Sequence, residues 1–358
     1  MIPHSASALI ASDFEFIQGI IDRNYVGHGP LCAELEALLT SQFACTEVVL
    51  TDSGTAALHL SLLALRERHP DKSRVLLSGY VCPEVVCAVI QAGLEPALAD
   101  VREDSLNVDM ESIAQLVDAR SLAVICANIG GVPDDYVHAG QFEIPIISDC
   151  AQGIGSRIDG SDVAAAGVLS VLSFGSTKMV TAGGGGAVLC RDKELGLTIG
   201  TLSRQELSVE EYRQSGFRLT FGQHMGELLA GLAAAQLRRL EGTLKRRREV
   251  AAIYDHALEG RADVALVREN PLVQFNRFRY YFLTERAAAW TDYLRAAGID
   301  ARRSISHVIP EYYAKLSNIP RLRRLSRMVV SVPIFPAMTA VEVAFVAETL
   351  GSAPGPCL

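Results

Sequence analysis

The chain has 358 residues, a length that exceeds one ordinary hydrophobic core and predicts two domains. Hydrophobic residues make up 49% and aromatic residues 6%, which is typical of a folded globular chain rich in small aliphatic side chains and excludes a disordered one. The formal net charge of -8 argues against nucleic acid and against an anionic membrane surface as the main partner.

The first half of the chain alternates between helical and strand-like patterns with short breaks. The predicted elements are, in chain order, a helix Leu31–Phe43, a strand Val48–Thr51, a helix Gly54–Arg68, a strand Val75–Ser78, a helix Pro83–Ala92 and the strands Ala97–Asp100, Leu122–Ala127, Ile144–Ser148, Val168–Ser173 and Ala187–Cys190. Apolar runs of strand length that alternate with helices predict an α/β domain with a mostly parallel, buried central sheet.

The pattern changes after Glu227. The elements predicted there are one long helix Glu227–Leu258, a strand Arg279–Thr284, a helix Arg286–Ala297 and a last helix after Pro336. We therefore predict a large α/β domain over residues 1–240 and a smaller α+β domain over residues 241–358. The basic cluster Lys245–Arg248 lies on the long helix and predicts a solvated or subunit-facing helix surface, not a phosphate site.

Several features concern the cellular compartment. No apolar run approaches the ~18 residues of a membrane-spanning helix, and the N-terminus lacks the basic start and apolar stretch of a secretory signal. The cysteines are scattered, with no C-x-x-C pair and no histidine spacing suited to zinc. We expect a cytoplasmic protein with reduced cysteines and no metal site.

Two residues at the ends of predicted strands carry the chemistry. Asp149 ends the apolar run that begins at Ile144, and Lys178 follows the run that ends at Ser173. Asp149 can pair with a pyridine nitrogen and Lys178 can form a Schiff base, which are the two groups that pyridoxal 5′-phosphate (PLP) chemistry needs. Ligands gather at the carboxyl ends of strands in such sheets, so both residues are candidates for one site.

A turn suited to phosphate precedes both residues. The segment Asp52–Ala56 joins a strand to a helix start, where unpaired backbone N–H groups and the positive end of the helix dipole favour an anion. Gln152 and Ser173 add polar groups that suit the ring oxygen and the phosphate of the cofactor. Each residue alone also fits an ordinary capping or turn role, but together, in this order along the chain, they favour the cofactor.

Competing motifs are absent from the sequence. There is no GxxxxGK[ST] phosphate loop, no GxSxG nucleophile elbow and no HExxH zinc pattern. Gly153-Ile-Gly155 is followed by Ile158 where a dinucleotide-binding turn needs a third glycine. Nucleotide, serine-hydrolase and zinc-protease readings are therefore unsupported.

The chain resembles the DegT/DnrJ/EryC1/StrS family of PLP-dependent aminotransferases, which mostly act on keto-sugar nucleotides. The resemblance covers nearly the whole chain. The segments that carry it are Asn24–Pro30, Asp52–Leu60, Pro96–Val101, Ser148–Gln152, Ser173–Lys178, Ala235–Leu240, Arg246–Glu249 and Ser331–Pro336.

The resemblance implies an aspartate-aminotransferase-type fold (fold type I) and a homodimer with its sites at the interface. It implies that Lys178 forms the Schiff base and then moves a proton between substrate and cofactor, and that Asp149 binds the pyridine nitrogen. Gln152 is implied to lie near the ring oxygen. The residues that the resemblance assigns to the phosphate are Gly54, Thr55 and Ser173.

Three places differ from the family. Cys82 stands where an aromatic ring usually covers the cofactor, and Tyr80 is the nearest aromatic residue. Gly222 and His224 stand where the family has an Asn-x-Arg whose Asn reaches the partner subunit's phosphate. Asn128 replaces a histidine. These differences predict an altered substrate pocket and weaker cofactor binding, and they leave open whether the acceptor is a sugar nucleotide.

The leading hypothesis is an aminotransferase that transfers an amino group from a donor such as L-glutamate to a keto or aldehyde acceptor through a Schiff base on Lys178. An alternative keeps PLP for a lyase, decarboxylase or carbon–carbon bond-forming reaction, which the changes at Cys82, Gly222 and His224 favour. A non-catalytic binding or regulatory protein on the same fold is the third. The candidates for the substrate pocket are Tyr25, His28, Tyr80, Asn128, His224, Tyr280, Arg302, Arg303 and His307.

Overall fold

A seven-stranded sheet forms the centre of the fold in the computed structural model, which describes residues 1–205, 208–210, 213, 219–302 and 319–353. The described strands are β1 Glu47–Thr51, β2 Arg74–Ser78, β3 Glu95–Ala99, β4 Ser121–Cys126, β5 Ile146–Asp149, β6 Arg157–Ile158, β7 Ser161–Asp162, β8 Leu169–Ser173, β9 Gly186–Cys190, β10 Ala265–Leu266, β11 Val273–Gln274, β12 Tyr280–Leu283 and β13 Val329–Val332. The described α-helices are α1 Ile17–Arg23, α2 Pro30–Phe43, α3 Gly54–Arg68, α4 Pro83–Gln91, α5 Met110–Ala114, α6 Tyr136–Gly140, α7 Lys193–Ser203, α8 Glu227–Arg238, α9 Leu240–Ala257, α10 Ala287–Ala296, α11 Pro320–Met328 and α12 Ala340–Gly351.

The central sheet has the strand order β1-β9-β8-β5-β4-β2-β3. The pairs from β8 to β3 are parallel, whereas β9 runs antiparallel to both of its neighbours, β1 and β8. The predicted α/β class with a mostly parallel sheet is therefore confirmed. Because β5 and β8 are parallel neighbours, their last residues, Asp149 and Ser173, lie at the same edge of the sheet.

Helix α3 is buried against one face of the large sheet. Nine of its residues are buried, and they occupy every side of the helix from Ala56 to Leu65. A helix that is apolar all round is buried between other elements, and α3 packs against β8, β9, α4 and α7. Its N-terminal end is thereby held rigidly beside the carboxyl edge of the sheet.

A second core lies in the C-terminal part of the chain. The antiparallel sheet β10-β12-β13 packs with α9, α10 and α12 around side chains that include Tyr254, Phe282 and Trp290. Asp100, which follows β3, accepts hydrogen bonds from the N–H groups of Arg321 at 3.0 Å and Leu322 at 2.7 Å. The carboxylate of Asp100 therefore caps α11 and ties it to the large sheet, while the division near residue 240 stays a prediction.

The long helix predicted from Glu227 to Leu258 is wrong in one respect, because the helix is broken at Arg239. Helix α8 ends at Arg238 and α9 begins at Leu240. Arg239 donates from Nη2 to Oδ2 of the buried Asp13 at 2.7 Å, and Gln236 Nε2 donates to the same oxygen at 2.6 Å. A partner far away in the sequence thus fixes the break.

The predicted solvated or subunit-facing surface at Lys245–Arg248 is wrong for Arg247, whereas Lys245 is exposed and Arg246 and Arg248 are half-buried. Arg247 is buried, and its Nη1 donates to the main-chain oxygens of Arg277 at 3.1 Å, Phe278 at 3.2 Å and Ile334 at 2.9 Å. Burial lowers the pKa of Arg247 to about 9. Arg247 therefore serves the interior of the fold, where it holds the segment before β12.

No helix in the described ranges combines the length and the apolar character that a membrane crossing requires. The same ranges contain no group of three or more His, Cys, Asp or Glu side chains placed to hold a metal ion. The cytoplasmic location stays a prediction.

Candidate active site

A cavity of about 320 Å³ opens where the carboxyl ends of the parallel strands meet the start of α3. The six residues predicted for the cofactor all line it: Gly54, Thr55, Asp149, Gln152, Ser173 and Lys178. The other lining residues are Leu58, Val81, Cys82, Glu84, Val85, Ala127, Ile129 and Ala151. The fold thus brings together residues from five separate strand ends, those of β1, β2, β4, β5 and β8.

The apolar part of this wall was not predicted from the sequence. Val81 and Val85 follow β2, and Ala127 and Ile129 follow β4. The position of Val81, Ala127 and Ile129 at or near the ends of predicted parallel strands was the available signal, because those strand ends share one edge of the sheet.

The phosphate turn lies at one end of the cavity. The Ser53 hydroxyl caps α3 by accepting from the Ala56 N–H at 3.1 Å. A Cβ at Gly54 would lie 2.7 Å from the Cβ of Ser173, so only glycine lets the helix start approach the end of β8 this closely. The helix dipole, the backbone N–H groups and the hydroxyls of Thr55 and Ser173 together suit a phosphate group.

Asp149 supplies a buried carboxylate to the cavity, with 7% of its surface exposed. Its Oδ1 accepts from the Ala151 N–H at 2.9 Å. Burial raises the pKa of Asp149, while the Ala151 N–H and the charge of Lys178 act in the opposite direction. A nearby cation such as a protonated ring nitrogen favours the ionised form of such a carboxylate.

Asn128 does not line the cavity but contacts the main chain of Asp149. Its Nδ2 donates to the main-chain oxygen of Asp149 at 3.0 Å and to Tyr136 Oη at 2.8 Å. Its N–H donates to Asp134 Oδ2 at 3.1 Å, and its φ of 46° is left-handed, a conformation that Asn tolerates. Asn128 is therefore a positioning residue for the end of β5.

Gln152 is oriented by two contacts. Its Oε1 accepts from the Gly130 N–H at 2.8 Å, and its Nε2 lies 3.8 Å from Cys82 Sγ, to which it donates. Because the acceptor atom of the amide is occupied, the donor group is the part available to an oxygen in the cavity. This orientation suits a contact with the ring oxygen of a cofactor.

Lys178 lies in a turn after β8. Its N–H donates to the Gly175 oxygen at 3.0 Å, and its Nζ lies 5.7 Å from the centroid of the Phe278 ring. The main-chain oxygen of Phe278 is one of the three that Arg247 holds. The amine therefore extends from its own turn and lies near the ring of a residue whose main chain is held by the buried Arg247.

Cys82 forms the part of the wall where the resemblance predicts an aromatic ring. Burial raises the pKa of its thiol, which keeps it protonated at neutral pH. Tyr80 does not replace the missing ring, because it is 1% exposed, packs in the core and is not part of the wall. The cavity therefore has a thiol and small aliphatic groups on this side.

The remaining pocket candidates lie elsewhere. Those among the described residues that do not line the cavity are Tyr25, His28, Tyr80, Asn128, His224, Tyr280 and Arg302. Tyr280 Oη donates to Asp255 Oδ1 at 2.8 Å, and Arg302 Nη2 donates to Asp300 Oδ2 at 3.0 Å. Gly222 has a φ of 63°, which favours glycine at this turn. Arg303 and His307 lie outside the described residues.

The lining residues fit PLP. Gly54 lets the start of α3 lie directly against the end of β8, which places the N–H groups of the helix start beside the Ser173 hydroxyl, an arrangement that suits a phosphate. Within the described part of the chain Asp149 has no ion-pair partner, so its carboxylate is available to a ring nitrogen. Lys178 presents its amine to the same cavity. The three groups that PLP needs are all present.

A mostly parallel seven-stranded sheet with a lysine, a buried aspartate and a helix start around one cavity defines a PLP-dependent enzyme of fold type I, the aspartate-aminotransferase type. The sequence pattern of the DegT/DnrJ/EryC1/StrS aminotransferase family matches residues 8–351. The chain belongs to this family and is a PLP-dependent aminotransferase.

Solved structures show the same fold. The sugar aminotransferase CalS13 from Micromonospora echinospora is 24% identical with a TM-score of 0.89, and the match covers 98% of this chain and 100% of that one. AtS13 from Actinomadura melliaura is 24% identical with a TM-score of 0.91 and 98% coverage of both chains. Helicobacter pylori PseC, an aminotransferase involved in the biosynthesis of pseudoaminic acid, is 17% identical with a TM-score of 0.90 and 98% coverage of both chains.

Proposed function

We propose that the protein moves an amino group from a donor such as L-glutamate to a keto or aldehyde acceptor, which is a keto-sugar nucleotide or another biosynthetic intermediate. The observation that carries the proposal is that Lys178 and Asp149 line the same cavity as the helix start at Gly54 and Thr55. The sugar aminotransferases among the structural relatives support this class of acceptor.

Each group has one task in this proposal. PLP, bound through a Schiff base to Lys178, supplies an electron sink for the bond that breaks. The Asp149 carboxylate holds the ring nitrogen protonated, and the donor group of Gln152 binds the ring oxygen. The Nζ of Lys178 would move a proton between the substrate carbon and the cofactor. The hydroxyls of Thr55 and Ser173 and the start of α3 bind the phosphate.

The second candidate is a PLP enzyme of another reaction type, a lyase, a decarboxylase or a carbon–carbon bond-forming enzyme. The cavity wall has only small side chains at Val81 and Cys82, which favours this candidate. The wall helps to orient the substrate over the cofactor ring, and this orientation decides which substrate bond breaks. Such an enzyme keeps the Schiff base but gives no lasting amino transfer from L-glutamate.

We also propose a homodimer with its sites at the interface. Exposed apolar side chains cluster along α1, the following loop and α8, with exposed fractions of 62% for Ile21, 53% for Tyr25, 58% for Val26 and 46% for Leu228. A second copy would remove this surface from water. Sedimentation should give twice the chain mass, and an Ile21→Glu protein should shift towards the monomer.

The absorption spectrum of the protein with PLP tests the function. We expect a yellow band that bleaches on addition of L-glutamate. Borohydride reduction of the yellow form should fix the cofactor on the peptide that contains Lys178. A Lys178→Ala protein should lose the band, whereas Lys193→Ala, which removes an exposed lysine at the start of α7, should keep it.

The outcomes separate the two candidates. A band that bleaches to the pyridoxamine form supports the aminotransferase. A band on Lys178 that ignores all amino donors supports the second candidate. A band that persists in Lys178→Ala, or a reduced adduct on another lysine, contradicts both.

A further inference from the structure

Asn276 is a fully buried residue between β11 and β12 that contacts the turn carrying Gln152. Its Nδ2 donates to the main-chain oxygens of Gln152 at 2.7 Å and Ile154 at 2.8 Å. Its Oδ1 accepts from the Phe278 N–H at 2.7 Å. Both hydrogens of the amide nitrogen are thus occupied, and the amide joins the wall of the cavity to the segment before β12.

The side chain of Gln152 depends on Asn276 by a second route. The Asn276 N–H donates to Ser156 Oγ at 3.0 Å, and the Ser156 hydroxyl donates to the Gly131 oxygen at 2.7 Å. The neighbouring Gly130 N–H holds Gln152 Oε1 at 2.8 Å. Asn276 therefore fixes both the main chain of Gln152 and the loop that orients its amide.

The loop at Gly131 packs directly on the Asn276 amide. A Cβ at Gly131 would overlap Oδ1 of Asn276 and would lie 2.8 Å from its Cγ. Gly131 also has a φ of 87°, which favours glycine. Because this contact leaves no free space, a change at Asn276 is transmitted to the loop after β4.

Asn276 is itself held rigidly. Its Oδ1 binds the N–H two residues further on, which is the geometry of an Asx turn. Arg277 inside this turn has a φ of 56°, a left-handed conformation that is uncommon for such a residue and that the surrounding contacts must stabilise. Because Oδ1 faces Phe278, Nδ2 is directed at Gln152 and the amide cannot turn over without losing three hydrogen bonds.

We propose that Asn276 is a positioning residue that holds the donor group of Gln152 in place for the ring oxygen of the cofactor. Because the ring oxygen belongs to PLP, this role rests on the proposed function. Asn276 does not line the cavity, so it acts only through Gln152. An amide that merely stabilised the fold would leave the orientation of Gln152 unchanged when it is replaced.

Hydrogen exchange in the cofactor-free protein tests the link from Asn276 to Gln152. The Gly130 N–H is the reporter, because its partner is Gln152 Oε1. We expect Asn276→Ala to raise the exchange rate of this amide roughly 3- to 10-fold, the factor that corresponds to about one net hydrogen bond. Gln152→Ala removes the acceptor and should raise the rate at least as much.

The yellow band of the PLP-loaded protein tests the link from Gln152 to the ring oxygen. A donor that binds this oxygen lowers its proton affinity and that of the Schiff-base nitrogen, which shares the proton. Asn276→Ala should therefore move the pH at which the band titrates upwards by roughly 0.5–1 pH unit. A purely structural role would lower the urea midpoint and leave the titration pH unchanged.

The matched control is Gln236→Ala. Gln236 is another buried amide, and its Nε2 donates to Asp13 Oδ2 at 2.6 Å, but neither residue lines the cavity. This variant should lose stability in urea while it keeps the Gly130 exchange rate and the titration pH. If Asn276→Ala does not fold, Ser156→Ala gives both readouts in a milder form, because it removes only the link to Gly131.

A double variant separates positioning from general stability. Because Asn276 reaches the ring oxygen only through Gln152, adding Asn276→Ala to Gln152→Ala should move the titration pH no further. A full additional shift in the double variant overturns the proposal.

Three other results overturn it as well. They are a Gly130 exchange rate that stays at the wild-type value in the Asn276 and Ser156 variants, a titration pH that does not move, and a Gln236→Ala protein that shows the same changes. If the wild-type protein forms no yellow band, the proposed function fails. In that case Gly130 exchange in the protein without cofactor still decides whether Asn276 positions Gln152.

Discussion

The contact between Gly54 and Ser173 makes a quantitative prediction for a Gly54→Ala protein. The added Cβ would lie 2.7 Å from Ser173 Cβ, 3.1 Å from Ser173 Oγ and 3.4 Å from the Leu172 oxygen. Carbon atoms ordinarily approach to about 3.5–4.0 Å, so the helix start and the end of β8 must separate by about 1 Å. Overpacking of this kind costs ~1–3 kcal/mol, and the better helix propensity of alanine offsets at most ~1 kcal/mol of it.

We therefore expect Gly54→Ala to lose about 1–2 kcal/mol of unfolding free energy and to bind PLP about tenfold more weakly. Urea denaturation without cofactor measures the first quantity, and titration of the yellow band measures the second. Gly242→Ala in α9 is the matched control, since its Cβ would meet no atom within 4 Å and should be neutral or stabilising.

A double-mutant cycle isolates the contact. In a Ser173→Gly background the two nearest atoms are gone, so Gly54→Ala should no longer destabilise the protein. A Gly54→Ala protein with wild-type stability and PLP affinity would refute the reasoning. A cost that persists at full size in the Ser173→Gly background would refute it as well.

Three further predictions concern the interior of the site. Burial raises the pKa of Asp149, so the ionised carboxylate destabilises the cofactor-free protein at pH values above that pKa. This destabilisation disappears as the pH falls through the pKa and the carboxylate becomes protonated. Without cofactor, the Asp149→Asn protein should therefore unfold at a higher urea concentration than wild type at pH 8, and this difference in stability should become smaller as the pH falls. The variant should nevertheless bind PLP more weakly than wild type. An Asp149→Asn protein that is less stable than wild type at pH 8 contradicts this. The Arg247→Met protein should lose ~2–4 kcal/mol of unfolding free energy in urea denaturation, because three carbonyl oxygens lose their donor. The Arg246→Met protein should lose only ~1 kcal/mol, because one carbonyl oxygen loses its donor. Equal losses in the two variants would disprove the interior role of Arg247. Iodoacetamide should label the exposed Cys87 faster than Cys82, and PLP should protect only Cys82 when peptides are followed by mass spectrometry; protection of Cys87 alone would place the cofactor elsewhere.

Elements with strong local signals were predicted well. Helix α3 has the predicted bounds, Gly54 to Arg68, because a serine cap, an uninterrupted run of helix formers and a strand before it all agree. The six residues predicted for the cofactor line one cavity for a similar reason. Polar side chains that follow apolar strands must converge when the strands are parallel, so order along the chain was sufficient to place Asp149 and Ser173 together.

Features that depend on distant partners were not predictable. The break at Arg239 depends on the buried Asp13, and nothing in the local sequence interrupts the helical pattern there. The interior role of Arg247 depends on carbonyl oxygens from other segments. The predicted strand Arg279–Thr284 is shorter in the structure, from Tyr280 to Leu283, and the sequence gives no signal for the contact between the Arg279 guanidinium and the Phe278 ring.

The antiparallel strand β9 has a consequence for the order in which the protein assembles. Strand β1 ends at the phosphate turn and β8 ends at Ser173, but these strands are not neighbours, because β9 lies between them. The parallel half of the sheet can form from consecutive segments of the nascent chain, whereas β1 has to wait for a strand synthesised much later. Long-range pairings of this kind close slowly. Capture of the cofactor is therefore tied to the final closure of the sheet, and the appearance of the yellow band during refolding should report that last step.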